Sequence, residues 1–158
     1  MALVEAVPLV PLSELGGVHF IAIGGAGMSG IAAAYADAGV TVSGSDQADS
    51  AALRRLAEAG IEVHVGHDPA NLGDARTVVV SAAIRESNVE LAQARRRGLR
   101  VWHRSAALGA LMLGLASQQT QGATVSDQLR AERLERAIET RLKALRESPL
   151  EFHGATTG

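Results

Sequence analysis

Between Val18 and Gly39 an apolar run passes through a glycine-rich turn into a stretch of small residues, and few folds accommodate that succession. Val18-His19-Phe20-Ile21-Ala22-Ile23 is short, bounded by glycines and apolar enough to be covered on both faces, as a parallel strand is. Gly24 to Gly30 is the turn, and Met28 to Ala38 reads as a helix closed by Gly39. Glycine lets a ligand approach the backbone closely and adopts positive φ without penalty. The helix N-terminus just beyond favours an anion. The loop is therefore expected to hold the phosphates of a nucleotide, against the plainer alternative of a turn needed only for packing. Two frames of G-x-G-x-x-G overlap here. Gly25, Gly27 and Gly30 match it fully, whereas the frame beginning at Ala22 lacks its first glycine.

The alternation continues downstream. Val40 to Gly44 reads as a second strand closing on Ser45-Asp46. Ser50 can cap a helix through Ala59, and Ile61 to Val65 is a third strand. After His67-Asp68-Pro69 and a short turn, Thr77 to Val80 is a fourth strand. Asn88 to Arg97 is a helix closed by Gly98, Leu99 to Trp102 a fifth strand, and Ser105 can cap a last helix to Leu113. Strands alternating with short helices imply βαβ units and a parallel sheet. The expected class is α/β: a Rossmann-like parallel sheet of about five strands with flanking helices.

Residues 1–17, with Pro8, Pro11 and Gly16-Gly17, suit a lead-in segment, and 18–113 form the nucleotide-binding domain. Residues 114–123 read as a polar linker. Thr124 and Asp127 resemble a capping box opening an amphipathic helix over 124–148. Its apolar stripe is Leu129, Leu134, Ile138, Leu142 and Leu145. Pro149 is expected to end it, leaving 149–158 as a flexible tail. An isolated helix of this kind needs a partner for its stripe, so self-association as a homodimer, or docking onto another protein, is expected.

Composition narrows the function classes. The chain has 158 residues, a net charge of −2 and no cysteine, which excludes disulfides and thiol catalysis and argues against a nucleic-acid surface. Neither a signal peptide nor a membrane span is evident, so a cytoplasmic location is expected. His64 and His67 are poorly spaced for a shared metal, Asp68 before Pro69 suits a turn, and Ser29 fits a cap or a phosphate contact equally. No base–nucleophile pair emerges, and no catalytic or metal-binding residue is assigned. Asp46, by contrast, lies about 20 residues past the loop, where an acid meets a ribose hydroxyl in dinucleotide-binding folds.

The run Val18-His19-Phe20-Ile21-Ala22-Ile23-Gly24-Gly25-Ala26-Gly27-Met28-Ser29-Gly30 resembles the opening of the Mur ligases, in particular the branch that adds alanine to UDP-N-acetylmuramate in building cell-wall peptidoglycan. Val42-Ser43-Gly44-Ser45-Asp46, Gly66-His67, Val80-Ser81-Ala82-Ala83-Ile84, Asn88-Val89-Glu90-Leu91, His103-Arg104-Ser105 and Leu111-Met112 follow in register. The resemblance implies the family's N-terminal domain, which binds UDP rather than a nicotinamide cofactor. It further implies that the amides of Gly24, Gly25, Ala26, Gly27 and Met28, with Ser29 beside them, cradle the diphosphate. Ser45, Asp46, His67 and the turn Ser81, Ala82, Ala83 and Ile84 would line the nucleoside side. Ala22, Ala82 and Ala106 depart from the residues usual in the family.

A Mur ligase also needs an ATPase domain opening on a Gly-Thr-His-Gly-Lys-Thr loop. Here Gly114-Leu115-Ala116-Ser117-Gln118-Gln119 follows instead, and Lys143, the one lysine, has no flanking glycine loop. The expectation is a truncated domain acting as a non-catalytic module for a UDP-sugar, placed ahead of NAD or ATP, with no cofactor required. Two rivals stand beside it: a small enzyme or biosynthetic accessory recruited to new chemistry on a nucleotide, and a pure interaction domain with a degenerate pocket.

Overall fold

The glycines at 16, 39, 60, 66 and 98, all at positive φ, punctuate the chain where strands and helices change over. The computed structural model describes residues 8–147; for residues 118–129, 131 and 145 it gives the main chain alone. Residues 1–7 of the lead-in, Pro149 and the 149–158 tail lie outside the described residues.

Five strands, β1 (Gly17–Ile21), β2 (Val42–Asp46), β3 (Glu62–Val65), β4 (Ala75–Val80) and β5 (Arg100–His103), form one parallel sheet in the order β3-β2-β1-β4-β5. This is the expected Rossmann-like α/β fold. Helices α1 (Met28–Asp37), α2 (Ala51–Glu58) and α3 (Val89–Arg96) fall where the hydrophobic pattern puts them. Ser50 Oγ accepts from Leu53 N, and Asn88 Oδ1 accepts from the amides of Glu90 and Leu91, so both helices start on side-chain caps.

Side chains alternate across the sheet and build two cores. Val18, Phe20, Val79 and Trp102 face α1, α2 and the first turns of α4 (Arg104–Glu147), with Met28, Tyr35, Leu53 and Ala107. Tyr35 sets its ring edge-on to Phe20 and donates its hydroxyl to the Ala107 carbonyl, tying α1 to α4. On the other face Ile21, Val78, Leu91 and Ala94 pack beneath α3 and a 3-10 turn at Pro69–Leu72.

Two expectations fail at α4. Its first residue is Arg104, and His103 Nδ1 accepts from the Ser105 amide at 3.2 Å, so Ser105 lies inside the helix rather than capping it. The linker at 114–123 is absent too, because α4 runs unbroken to Glu147 and Thr124 sits in mid-helix. That stretch has no proline, and its Ala, Leu and Gln residues are good helix formers. Gly114 and Gly122 disfavour helix by only about 1 kcal/mol each. The chain nevertheless divides into two compact units, Met1–Leu115 and Ala116–Gly158. No helix among the described residues is long and apolar enough to cross a membrane.

Candidate functional site

The sheet order reverses at β1. From β1 the chain steps outward to β2 and β3, then returns past β1 to β4. The loops leaving β1 and β4 therefore part in opposite directions and open a crevice at the carboxyl ends of the strands, where ligands of such sheets gather. Gly24 to Met28 and Ser81 to Ile84 are those two loops, as the sequence positions them.

Backbone geometry decides between the two glycine frames. Ala22 has φ +63°, the one non-glycine at positive φ among the described residues, and Gly27 has φ +82° as the N-cap of α1. A Cβ on Gly24 would come within 2.7 Å of Leu53 and 2.9 Å of Asp46, whereas one on Gly30 would meet nothing within 4 Å. The frame in use is Ala22, Gly24 and Gly27. The sequence-perfect frame Gly25, Gly27, Gly30 is not the one that the turn requires.

Within the loop, Gly24 N–H donates to Asp46 Oδ2 at 2.9 Å, Gly25 N–H to the Ala22 carbonyl, and Met28 N–H to the Gly25 carbonyl. The exposed amides of Ala26 and Gly27 make no hydrogen bond among the described residues. Of the five amides expected to face a diphosphate, three are thus engaged internally and two stand open. Asp46 clamps the loop to the end of β2. Arg104, which the sequence reading gave no role, crosses from α4 to bond the Ala26 carbonyl at 3.3 Å, bringing a cation beside the open amides.

Beneath the crevice lies a buried polar cluster. Glu90, in the first turn of α3, is wholly buried. Its Oε2 accepts from Ser45 Oγ at 2.5 Å and lies 3.1 Å from His67 Nδ1; its Oε1 accepts from Asn71 Nδ2 at 2.8 Å. His19 Nε2 lies 3.5 Å from Oε1, an ion-pair distance too long for a good hydrogen bond, and it is otherwise unpartnered, while His19 Nδ1 meets Ser43 Oγ at 2.8 Å. Burial by itself raises the Glu90 carboxyl, but the contacts from His19, Ser45 and Asn71 outweigh it and bring its pKa down to about 2. Glu90 is ionised at neutral pH, with the α3 N-terminus adding to its stability.

The structure thus brings together Gly24 to Met28, Ser45, Asp46 and His67, through direct or shared contacts. The Ser81–Ile84 turn closes on itself through Ile84 N–H to the Ser81 carbonyl, across the crevice from the glycine loop. The Ser29 hydroxyl caps nothing among the described residues. His64 pairs with Glu62 and His67 with Glu90, so the two rings serve different partners, and Asp68 caps the 3-10 turn through Ala70 N–H. Among the described residues no group of metal-ligating side chains forms. Ala106 packs against the core. A cleft of about 650 Å³ opens at the amino ends of β1 and β2, away from the glycine loop, around Val18, Val42 and Ile61.

Sequence reasoning singled out neither His19, Ser43, Asn71 nor Glu90. The available signal was polar residues at alternate positions of strands otherwise apolar enough to be buried, matched by an acid just after a helix cap.

Two measurements follow. Ala22→Gly relieves a left-handed alanine and is expected to stabilise the chain by about 0.5–1 kcal/mol net of glycine's extra unfolded-state freedom. Gly30→Ala should also raise the melting temperature, whereas Gly27→Ala should cost about 1–2 kcal/mol of stability and lower it. Because the Glu90 pKa is depressed when folded, its stabilisation is complete above the unfolded value of about 4.5 and fades as pH falls toward about 2. Denaturation between pH 6 and pH 2.5 should lose up to roughly 3 kcal/mol from this group, a loss that Glu90→Gln flattens.

Residues 17–116 match the model of the Mur ligase family, catalytic domain. UDP-N-acetylmuramate–L-alanine ligase of Cutibacterium acnes is 64% identical over 114 residues, covering 72% of this chain and 24% of that protein. The enzyme of the same name from Thermobifida fusca is 56% identical over 129 residues, covering 80% and 27%. Among solved structures, the UDP-N-acetylmuramate-alanine ligase of Thermotoga maritima aligns with a TM-score of 0.55 at 32% identity, over 56% of this chain and 20% of that one. The chain spans about a quarter of the length of the curated relatives it matches. With its Rossmann-like sheet and glycine loop in the family's register, this chain belongs to the Mur ligase family.

Proposed function

We propose that this chain is a nucleotide-binding domain for a UDP-sugar, of the UDP-N-acetylmuramate type that its relatives' names carry, and that it holds this ligand rather than transforming it. One observation carries the reading. Two open amides, Ala26 and Gly27, lie at a helix N-terminus beside Arg104, while the Asp46 carboxylate stands at the adjoining end of β2. Amides and guanidinium suit the oxygens of a diphosphate, and a carboxylate suits the hydroxyls of a ribose. On this reading Ser29 and Ser81, with Ala82, Ala83 and Ile84 beside Ser81, complete the ligand-binding set. Nothing in this role calls for a resident cofactor.

Calorimetry on the full chain with UDP, UDP-N-acetylmuramate, ATP and NAD tests it. The expected order puts UDP-N-acetylmuramate first and UDP second, with Asp46→Ala weakening both by about tenfold, or 1.4 kcal/mol. Absence of binding by all four ligands would sink the reading. Turnover of any of them, lost in Asp46→Ala or His67→Ala, would replace it with an enzymatic one.

Self-association accompanies this role. Leu134, Ile138 and Leu142 are about half exposed or more and recur every fourth residue of α4, a continuous apolar stripe flanked by charge. A second copy of the same helix covers such a stripe. Sedimentation should give twice the 16.4 kDa chain mass. Leu134→Gln with Ile138→Gln and Leu142→Gln should return the monomer without changing UDP affinity; a wild-type monomer at high concentration overturns this part alone.

A further inference from the structure

At the carboxyl end of β3 the His67 ring borders the buried Glu90 cluster, its side chain 20% exposed where that of Glu90 is fully covered. Which nitrogen of that ring carries the proton follows from the donors and acceptors around it. Two groups face His67 Nδ1, Ser45 Oγ and Glu90 Oε2, each 3.1 Å away. Glu90 is ionised and can only accept. Ser45 has one hydroxyl proton, and the 2.5 Å contact to Glu90 Oε2 takes it, since without a proton between them those two oxygens would repel. Both neighbours of Nδ1 are therefore acceptors. The opposite assignment, a bare Nδ1, would set a lone pair against a fully buried carboxylate.

We propose that Glu90 is a positioning residue: through Ser45 and His67 Nδ1 it fixes the ring as the Nδ1–H tautomer and presents a bare Nε2 lone pair to the ligand. This rests on the nucleotide-binding reading above and specifies what the β2 side of the crevice recognises. A bare Nε2 accepts a hydrogen bond, so it selects a donor, a ribose hydroxyl or a base N–H, and opposes a phosphate oxygen. Asp46 is likewise an acceptor. The two ends of the crevice then have opposite character, acceptors over β2 and donors at Ala26, Gly27 and Arg104 over β1. A nucleoside diphosphate fits in one direction only.

The relay is held from several sides. Asn71, anchored by a bond to the Gly66 carbonyl at 3.0 Å, occupies Glu90 Oε1, and His19 faces the same oxygen from β1. With Oε1 engaged there, Oε2 is the oxygen left for Ser45 and His67. The Asn88 cap fixes the amide of Glu90 itself and so the start of α3.

Two-bond proton–nitrogen correlation spectra of the full-length chain at neutral pH, without nucleotide, test this directly. The His67 signals are assigned by their loss in His67→Gln. The expected pattern is a protonated Nδ1 and an unprotonated Nε2; an Nε2–H ring in the unmodified protein overturns the proposal. In Glu90→Gln the carboxamide can donate, and the ring is expected to shift toward Nε2–H while UDP affinity falls about tenfold. A folded Glu90→Gln protein with an unchanged tautomer, or a changed tautomer with unchanged UDP affinity, also overturns it. If Glu90→Gln does not fold, the spectrum of the unmodified chain decides. Failure of the wild-type chain to bind UDP would defeat the nucleotide reading instead, and leaves the tautomer measurement standing.

Discussion

The Glu90 carboxylate sits where water cannot reach it, and a bare charge there would be too costly for the fold to bear. What makes it tolerable is a ring of groups from separate parts of the chain: His19 from β1, Ser45 from β2, His67 and Asn71 from the segment after β3. Each of these must be in place for the charge to be satisfied, so the cluster ties the docking of α3 to the order of β1 and β2. Apolar packing on that face is thin by comparison, with five buried residues in its cluster. Satisfied networks of this kind specify one arrangement, whereas a half-satisfied one is worse than an apolar core.

The same cluster sets the chemistry at the surface. Ser45 lies one residue before Asp46, and His67 follows Gly66, the glycine just after β3. An arrangement that satisfies Glu90 therefore also aligns the two groups proposed to meet the ligand. Asp46 in turn holds Gly24 by its amide, so the glycine loop is positioned from β2 as well as from β1. Strain enters at one point only among the described residues, Ala22, where the turn out of β1 demands a left-handed residue and the chain supplies an alanine. The structure holds it there because Ile23 N–H still reaches the Ser45 carbonyl and Gly25 N–H closes back on Ala22.

Most elements were legible in the residue order. Strand and helix positions follow from hydrophobic period and from glycines at the turns, and both agree with the structure to within a few residues. The family register extends through the same stretch, residues 17–116. The open choices and the errors fell where local signals compete. Gly25, Gly27 and Gly30 match the fingerprint by spelling, yet the turn uses positions 22, 24 and 27, because φ at the strand end rather than glycine count selects the frame. The Ser-Gln-Gln-Thr-Gln stretch reads as a linker by polarity, but polarity alone does not break a helix that lacks proline.

By itself the sequence determined the alternation of strands and helices, the phosphate-suited loop and the acid at the end of β2, since each depends on residues close together in the chain. Tertiary structure decided which glycines matter, which amides stay open, and that Glu90, Asn71, His19 and Arg104 join Ser45, His67 and the glycine loop through direct or shared contacts. Those depend on contacts between residues far apart in sequence, 45 positions for Ser45 with Glu90 and 78 for Ala26 with Arg104, and no local pattern records such a distance. The glycine loop was visible from the start; what it is wired to became visible only when the sheet had closed around it.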